Sequence, residues 1–214
     1  MIRVLVADDH KLVREGLKQI LAAAADMRVA GEAANGDEAL ALAKANDYDL
    51  VLLDMSMPGL AGIELIKRLR LEKPGLRILV LSMHGEQQYA ARALKAGAAG
   101  YLTKDSATEQ LVGAIRKVAA GGLYITAAAA ESLVSETAGG NGPPHALLSD
   151  REFEIFRMLA RGHGPTEIAD RLHLSVKTVS THKARVLQKM NLGSTAELVR
   201  YALEHELLDG KPSP

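Results

Sequence analysis

The chain contains no cysteine. Disulfides, thiolate metal sites and cysteine nucleophiles are therefore excluded. It also lacks any apolar run near the roughly 20 residues that a membrane-spanning helix needs, although 48% of its 214 residues are hydrophobic. Residues 1–7 are too short for the apolar core of a secretory signal and run into acids. A strand is expected there, and a cytoplasmic protein follows. Net charge is missing too, since 26 basic residues balance 26 acidic ones. The balance is not local: residues 174–193 hold Lys177, Lys183, Arg185 and Lys189 and no acid. A charged run is ordinarily a solvated face, so its meaning depends on its surroundings. The length suits two domains, each able to bury its own core.

The first 120 residues alternate short apolar runs with helical patterns. Strands are expected at 4–7, 29–33, 50–53, 78–81 and 100–103. Val13, Leu17, Ile20 and Leu21 form one apolar stripe, and Leu65, Ile66 and Leu69 another. Gly97 stands at the end of an alanine-rich helix. Ser106 to Glu109 has the capping-box pattern. Five strands alternating with five helices imply a doubly wound parallel sheet of flavodoxin-like order. Residues 121–147 break the rhythm and are expected to be a linker, with a short helix at 126–136 and a turn-forming stretch at 137–144. From 148 onward the pattern is helical. Ser149 to Glu152 is a capping box ahead of Phe153, Phe156 and Leu159. Pro165 suits the start of a second helix, Ser175 the cap of a third that Gly193 stops, and Ser194 the cap of a fourth. Four short helices with one basic segment make an all-α helix-turn-helix unit over 148–210.

Chemistry gathers at the strand ends. Asp54 closes the apolar run Leu50 to Leu53, Asp8 and Asp9 follow the first strand, Ser82 follows the fourth and Lys104 the fifth. Ligands of such sheets bind outside the carboxyl ends of the strands. Three crowded carboxylates repel one another, and a divalent hard cation resolves the conflict. Oxygen donors favour Mg2+, with the backbone carbonyl of Ser56 as a further ligand. A carboxylate can act as nucleophile and carry a phosphoryl group. Metal and Lys104 then supply charge neutralisation, and Ser82 one hydrogen bond. Singly, each residue has a plainer reading: Asp8 or Asp9 as a turn residue, Lys104 as a surface residue, Ser82 as a strand end. The joint pattern is far more specific.

Asp8-Asp9-His10, the run from Leu53 to Gly62, and the run from Gly97 to Lys104 resemble the receiver domain of two-component response regulators. The likeness covers residues 1–120. It implies that Asp54 accepts a phosphoryl group from a phosphohistidine on a sensor histidine kinase. It further implies that Asp9 binds magnesium directly, that Asp8 acts mainly through water, and that Ser82 and Tyr101 are the switch pair. The plainer reading of Tyr101 is a half-buried strand aromatic. Asp105 departs from the proline common after the lysine.

In residues 175–190, Val179, Val186 and Met190 share one helical face and are expected to point inward. Lys177, Ser180, Thr181, Ala184, Arg185 and Gln188 then face mostly outward. A helix fits the DNA major groove, its N-terminal half reading base edges while lysine and arginine neutralise phosphates. The residues Leu148 to Glu152, Glu167 to Ala169, Leu174 to Val179, His182 and Lys189-Met190 resemble the LuxR-type helix-turn-helix of the NarL/FixJ response regulators. That resemblance puts Lys177, Ser180, Thr181, Lys183, Ala184 and Arg185 on or near double-stranded promoter DNA. Ser180, Thr181 and Ala184 are the candidates for bases; Lys177, Lys183, Arg185 and Lys189 are those for phosphates. Gly164-Pro165-Thr166 departs from the family's usual polar or basic residues. His182 is either a phosphate donor or a packed helix histidine. His10 is expected to be a loop residue beside the pocket.

The expectation is a DNA-binding transcription regulator switched at Asp54, dimeric when phosphorylated, not membrane-bound, and without catalysis beyond its own phosphorylation and dephosphorylation. Leu198, Tyr201 and Ala202 are candidates for the dimer surface, with core packing as the competing reading. Two alternatives stand beside it: a regulator that uses its receiver only to dimerise, and a phosphatase with an aspartyl nucleophile. Such phosphatases generally carry a second acid two residues on, where this chain has Ser56.

Overall fold

Alternation of side chains sorts the first half of the molecule into layers. In the computed structural model, which describes residues 1–82, 87–104, 108–125, 143–205 and 207–208, the apolar runs form a parallel sheet. Its strands are β1 (Ile2–Ala7), β2 (Met27–Ala33), β3 (Leu50–Asp54), β4 (Arg77–Ser82) and β5 (Gly100–Thr103). Their order is β2-β1-β3-β4-β5, all parallel. The expected strands are all present, most one or two residues longer, because ladder pairing carries on past the apolar positions.

Each crossover is a helix: α1 (Lys11–Ala22), α2 (Gly36–Ala45), α3 (Gly62–Glu72) and α4 (Gln87–Lys95), with α5 (Thr108–Ala119) after the last strand. Helices α1 and α5 pack together, and α2, α3 and α4 adjoin in sequence. Val4, Val6, Leu50, Leu52, Leu79 and Leu81 build one core with Leu17, Leu21, Leu111 and Ile115. The intervening residues Leu5, Val51, Leu53, Ile78 and Val80 are equally buried. A central parallel strand has no wet face, which is why β3 reads as an unbroken apolar run. Gly97 takes φ +109, and a Cβ there would lie 2.8 Å from Arg70 Cγ. Only glycine makes this turn from α4 into β5 without strain.

The second compact unit is helical: a 3-10 turn (Pro144–Leu147), then α6 (Asp150–Ala160), α7 (Pro165–Leu172), α8 (Val176–Met190) and α9 (Thr195–Glu204). Phe153 and Phe156 stack 5.9 Å apart, fully buried. Ser149 and Glu152 complete a capping box, and Ser175 and Ser194 accept from the amides of Thr178 and Glu197. Each satisfies an orphan amide of a helix start. Pro165 occupies the first turn of α7. Gly193 does not stop α8. Asn191 does, at φ 54, because asparagine tolerates the left-handed position two residues earlier.

The segment read as a linker is narrower than expected at both ends. Tyr124 pairs with Gly100 beside β5, and His145 is buried in the helical unit. The helix expected at 126–136 and most of the stretch at 137–144, with Ser106 and Asp105, lie outside the described residues. The proposed dimer surface needs correction. Leu198 and Ala202 are fully buried, and the Tyr201 hydroxyl is 2.6 Å from His145 Nδ1. These residues face the core of their own unit. Periodicity places an apolar stripe without saying which neighbour covers it.

Candidate phosphoacceptor pocket and nucleic-acid interface

The register of β1 against β3 pairs Ala7 with Leu53, so Asp8 and Asp54 emerge side by side at the carboxyl end of the sheet. Both are buried, at 1% and 2% exposure. Ligand atoms of Asp8, Asp9, His10 and Asp54 lie within 4.8 Å of one another. β5 brings in Lys104. Its ammonium is 2.6 Å from Asp8 Oδ2 and 2.9 Å from Asp54 Oδ2, bridging the two acids. The first contact is a hydrogen bond; the second is an ion pair not aligned as one, leaving Asp54 Oδ2 open to a further partner. The Ser56 amide donates to Asp54 Oδ1 at 3.3 Å, and the His10 amide to Asp8 Oδ1 at 2.8 Å. Both carboxylates are thus oriented by the turns that follow them.

Burial pushes the Asp54 carboxyl up from its ordinary value, and the Lys104 charge only partly offsets this, with the Asp8 charge adding to the rise. For Lys104, burial opposes the charged form, but the hydrogen bond to Asp8 and the Asp54 charge outweigh it and raise the ammonium. One cation serves two buried anions, and Asp9 adds a third at the rim. A divalent cation fits this donor set: carboxylate oxygens dominate, two buried ones (Asp9 Oδ1 and Asp54 Oδ2) lack a hydrogen bond among the described residues, and negative charge is in excess.

Ser82 closes β4 one residue past the Leu81 that pairs with Asp54, and is 1% exposed. Its carbonyl accepts from the Lys104 amide at 2.7 Å. Tyr101 lies in β5 opposite Val80 and is 5% exposed, so the ring is fully buried rather than half-buried. His10 is a loop residue beside the pocket, as expected, at the N-cap position of α1 with Nδ1 2.7 Å from Asp9 Oδ1. Arg14 reaches back one turn to donate to the Asp8 carbonyl at 2.7 Å. The His10 contact was foreshadowed by adjacency alone; nothing in the sequence announced Arg14.

In the helical unit, α7 and α8 meet at a tight turn where His173 takes φ 49. Val179, Val186 and Met190 are buried, so Lys177, Ser180, Thr181, Ala184, Arg185 and Gln188 form the exposed face of α8. Gln188 belongs to this face, as the helical spacing implies. Lys183 is half-buried on the flank. Lys189 is otherwise engaged: its ammonium is 2.7 Å from the buried Glu152 carboxylate and 3.4 Å from the Leu147 carbonyl. Glu152, fixed by its capping role, needs a counter-charge, and Lys189 supplies it. His182 is half-buried, and its Nδ1 lacks a hydrogen bond among the described residues. Burial and then the Arg185 charge push its pKa down, which favours the packed, neutral histidine over a cationic phosphate donor. No described helix is long and apolar enough to cross a membrane.

Residues 4–116 match the response regulator receiver domain, and residues 146–202 match the luxR family of bacterial regulatory proteins. The response regulator UvrY of Escherichia coli O6:H1 is 38% identical over 99% of this chain and 98% of its own length. The oxygen regulatory protein NreC of Staphylococcus carnosus is 39% identical over 97% of this chain and 100% of its own. Among solved structures, RcsB from Salmonella enterica serovar Typhimurium, bound to promoter rprA in the presence of the phosphomimetic BeF3-, aligns with a TM-score of 0.70. It is 28% identical, covering 94% of this chain and 97% of that one.

Proposed function

We propose, from the premise that this chain belongs to the response regulators with a luxR-type DNA-binding domain, that Asp54 is the carboxylate that receives the phosphoryl group. The protein is a DNA-binding transcription regulator. The observation that carries the Asp54 reading is the Lys104 bridge: a single buried ammonium within 2.9 Å of both Asp8 and Asp54. An acyl phosphate on Asp54 would place its oxygens beside that ammonium, with Ser82 as the hydroxyl donor from the adjacent strand.

Each residue has a separable task. Asp54 Oδ2, which accepts no hydrogen bond, is the nucleophilic oxygen. It attacks phosphorus, the bond to the donor imidazole breaks, and the leaving nitrogen takes up a proton. The Ser56 amide holds the other oxygen and fixes the angle of attack. Lys104 leaves the carboxylate for the phosphoryl oxygens and neutralises part of the arriving charge. Asp8, Asp9, Asp54 and the Ser56 carbonyl are the residues that would hold Mg2+. When bound, the ion screens the carboxylates from one another and from the incoming phosphoryl oxygens. The donor is a phosphohistidine of a sensor histidine kinase. The Ser82 and Tyr101 pair passes the change on, as a serine drawn toward the phosphoryl leaves room for the ring to move. The exposed face of α8 then enters the major groove, with Ser180, Thr181 and Ala184 at base edges and Lys177, Lys183 and Arg185 at phosphates. One helix-turn-helix gives a small interface, so a homodimer on paired half-sites is the DNA-bound form. The two domains have 1–120 and 148–210 as their cores, extended by the Tyr124 bridge and by the buried His145, and the protein acts in the cytoplasm.

Incubation with radiolabelled acetyl phosphate and magnesium tests the site. The wild type takes up acid-stable, base-labile label and Asp54→Asn takes up none. Label on the variant at the wild-type level would refute the assignment.

A further inference from the structure

The chain does not simply leave the receiver after α5. Gly121 turns it at φ +92, and Tyr124 returns alongside β5 in a parallel bridge to Gly100. The Tyr124 carbonyl accepts from the Tyr101 amide at 3.1 Å, and the Tyr124 amide donates to the Ala99 carbonyl at 2.9 Å. Its ring packs against the receiver core, with the Lys117 ammonium 5.9 Å from the ring centre. Gly100 makes this approach possible. A Cβ there would lie 2.9 Å from the Tyr124 carbonyl oxygen and 2.7 Å from Leu79 Cδ1. The path to the DNA-binding unit is therefore hydrogen-bonded on either side of Gly100, and one of those bonds comes from the Tyr101 backbone.

The other end of the same four-residue strand belongs to the pocket. The Lys104 amide donates to the Ser82 carbonyl, and its ammonium bridges Asp8 and Asp54. A phosphoryl group adds about −1.5 to −2 of charge beside that ammonium. A reorientation there acts on β5 directly, since Thr103 is the last residue of the strand. Strand hydrogen bonds weaken steeply once they are misaligned.

We propose that residues 122–124 are a releasable latch on β5, closed while Asp54 is unmodified and opened by its phosphorylation. This rests on the Asp54 reading above. Closed, the chain departs from the sheet edge at residue 125. Open, it departs at the end of α5, and residues 122–125 join the tether. Fully extended they reach about 14 Å. Paired helix-turn-helix units must meet their half-sites at a fixed spacing and orientation. Opening the latch frees the point at which the tether leaves the sheet, and so widens the placements that two DNA-binding units can take up.

The test uses the full chain with magnesium, with and without beryllofluoride, and a duplex selected from random sequence by the activated wild type. Amide exchange at Tyr101 and Tyr124 reports the latch. Activation is expected to speed both by about tenfold or more. Gly100→Ala forces the latch open by steric conflict. Tyr124→Pro opens it by deleting the donor, without altering Gly100. Both are expected to bind the duplex without beryllofluoride at an affinity within about threefold of the activated wild type. Tyr124→Phe keeps the backbone bonds and is expected to stay dependent on beryllofluoride. Two outcomes overturn the latch alone: wild-type exchange that ignores activation, or open variants that still need beryllofluoride by the wild-type factor. A wild type that takes up no beryllofluoride, and so selects no duplex, overturns the Asp54 reading and the latch with it.

Discussion

Asp54 shows how surroundings set the cost of one residue's charge. Burial works against its charge, and a single lysine shared with Asp8 does not fully compensate. Asp54→Asn removes that buried charge while Asp8 retains Lys104. In the absence of divalent cations the variant is expected to unfold at a higher temperature than the wild type at neutral pH, and magnesium to narrow the gap. Equal melting temperatures without magnesium would mean the carboxylate is not strained. Two basic positions on α8 are likewise set apart by their surroundings. Arg185 is exposed on the face of α8, whereas Lys189 is tied to Glu152. Arg185→Ala is expected to make the salt dependence of DNA binding shallower by about one unit for a lost phosphate contact. Lys189→Ala is expected to leave that slope unchanged and to destabilise the helical unit by about 1 kcal/mol, since the half-exposed ammonium makes this less than a fully buried pair. Salt titrations of binding and urea unfolding of each variant separate the two. In sequence the two cations look alike; what distinguishes them is Glu152, 37 residues away.

At the scale of elements, the helices begin where capping chemistry demands. The Ser149 and Glu152 box starts α6, and its carboxylate also anchors the far end of α8 through Lys189. Burial would raise the Glu152 carboxyl, but the Lys189 hydrogen bond and the Ser149 cap lower it below 4.5. A carboxyl with a depressed folded value stabilises above its unfolded value and loses that contribution as pH falls. Local stability of α6, followed by amide exchange, is therefore expected to drop as pH falls below 4.5. Glu152→Gln should be less stable than the wild type at pH 7, with the gap closing in acid. A gap that stays constant across that range would show that Glu152 does not carry the effect. The Ser149 capping box and the Pro165 start were legible because each depends on neighbours within four residues. The stop of α8 was misread because Asn191 and Gly193 can both end a helix, and the backbone settled on the first.

At the scale of the whole molecule, two units with different chemistry share one chain, and the proposed homodimer would use a surface other than the buried Leu198 and Ala202. Sedimentation with magnesium and beryllofluoride is expected to show a doubling of mass that Asp54→Asn lacks. Leu198→Glu is expected to unfold the helical unit by roughly 3 kcal/mol or more rather than yield a folded monomer. A folded, monomeric Leu198→Glu would restore that helix as the interface.

The sheet, its order, the acidic trio and the basic helix were readable from residues alone, because strand and helix periods and turn signals are local and the right-handed crossover leaves few topologies. The rest depended on contacts distant in sequence. Lys104 bridges residues about 50 and 96 positions away. Arg14 reaches the Asp8 carbonyl, Lys189 serves Glu152, and Tyr124 lies against Gly100. Pattern tells which face of an element is apolar or charged. Which partner meets that face is fixed only when the chain closes on itself, since burial and ion pairing depend on distances in space.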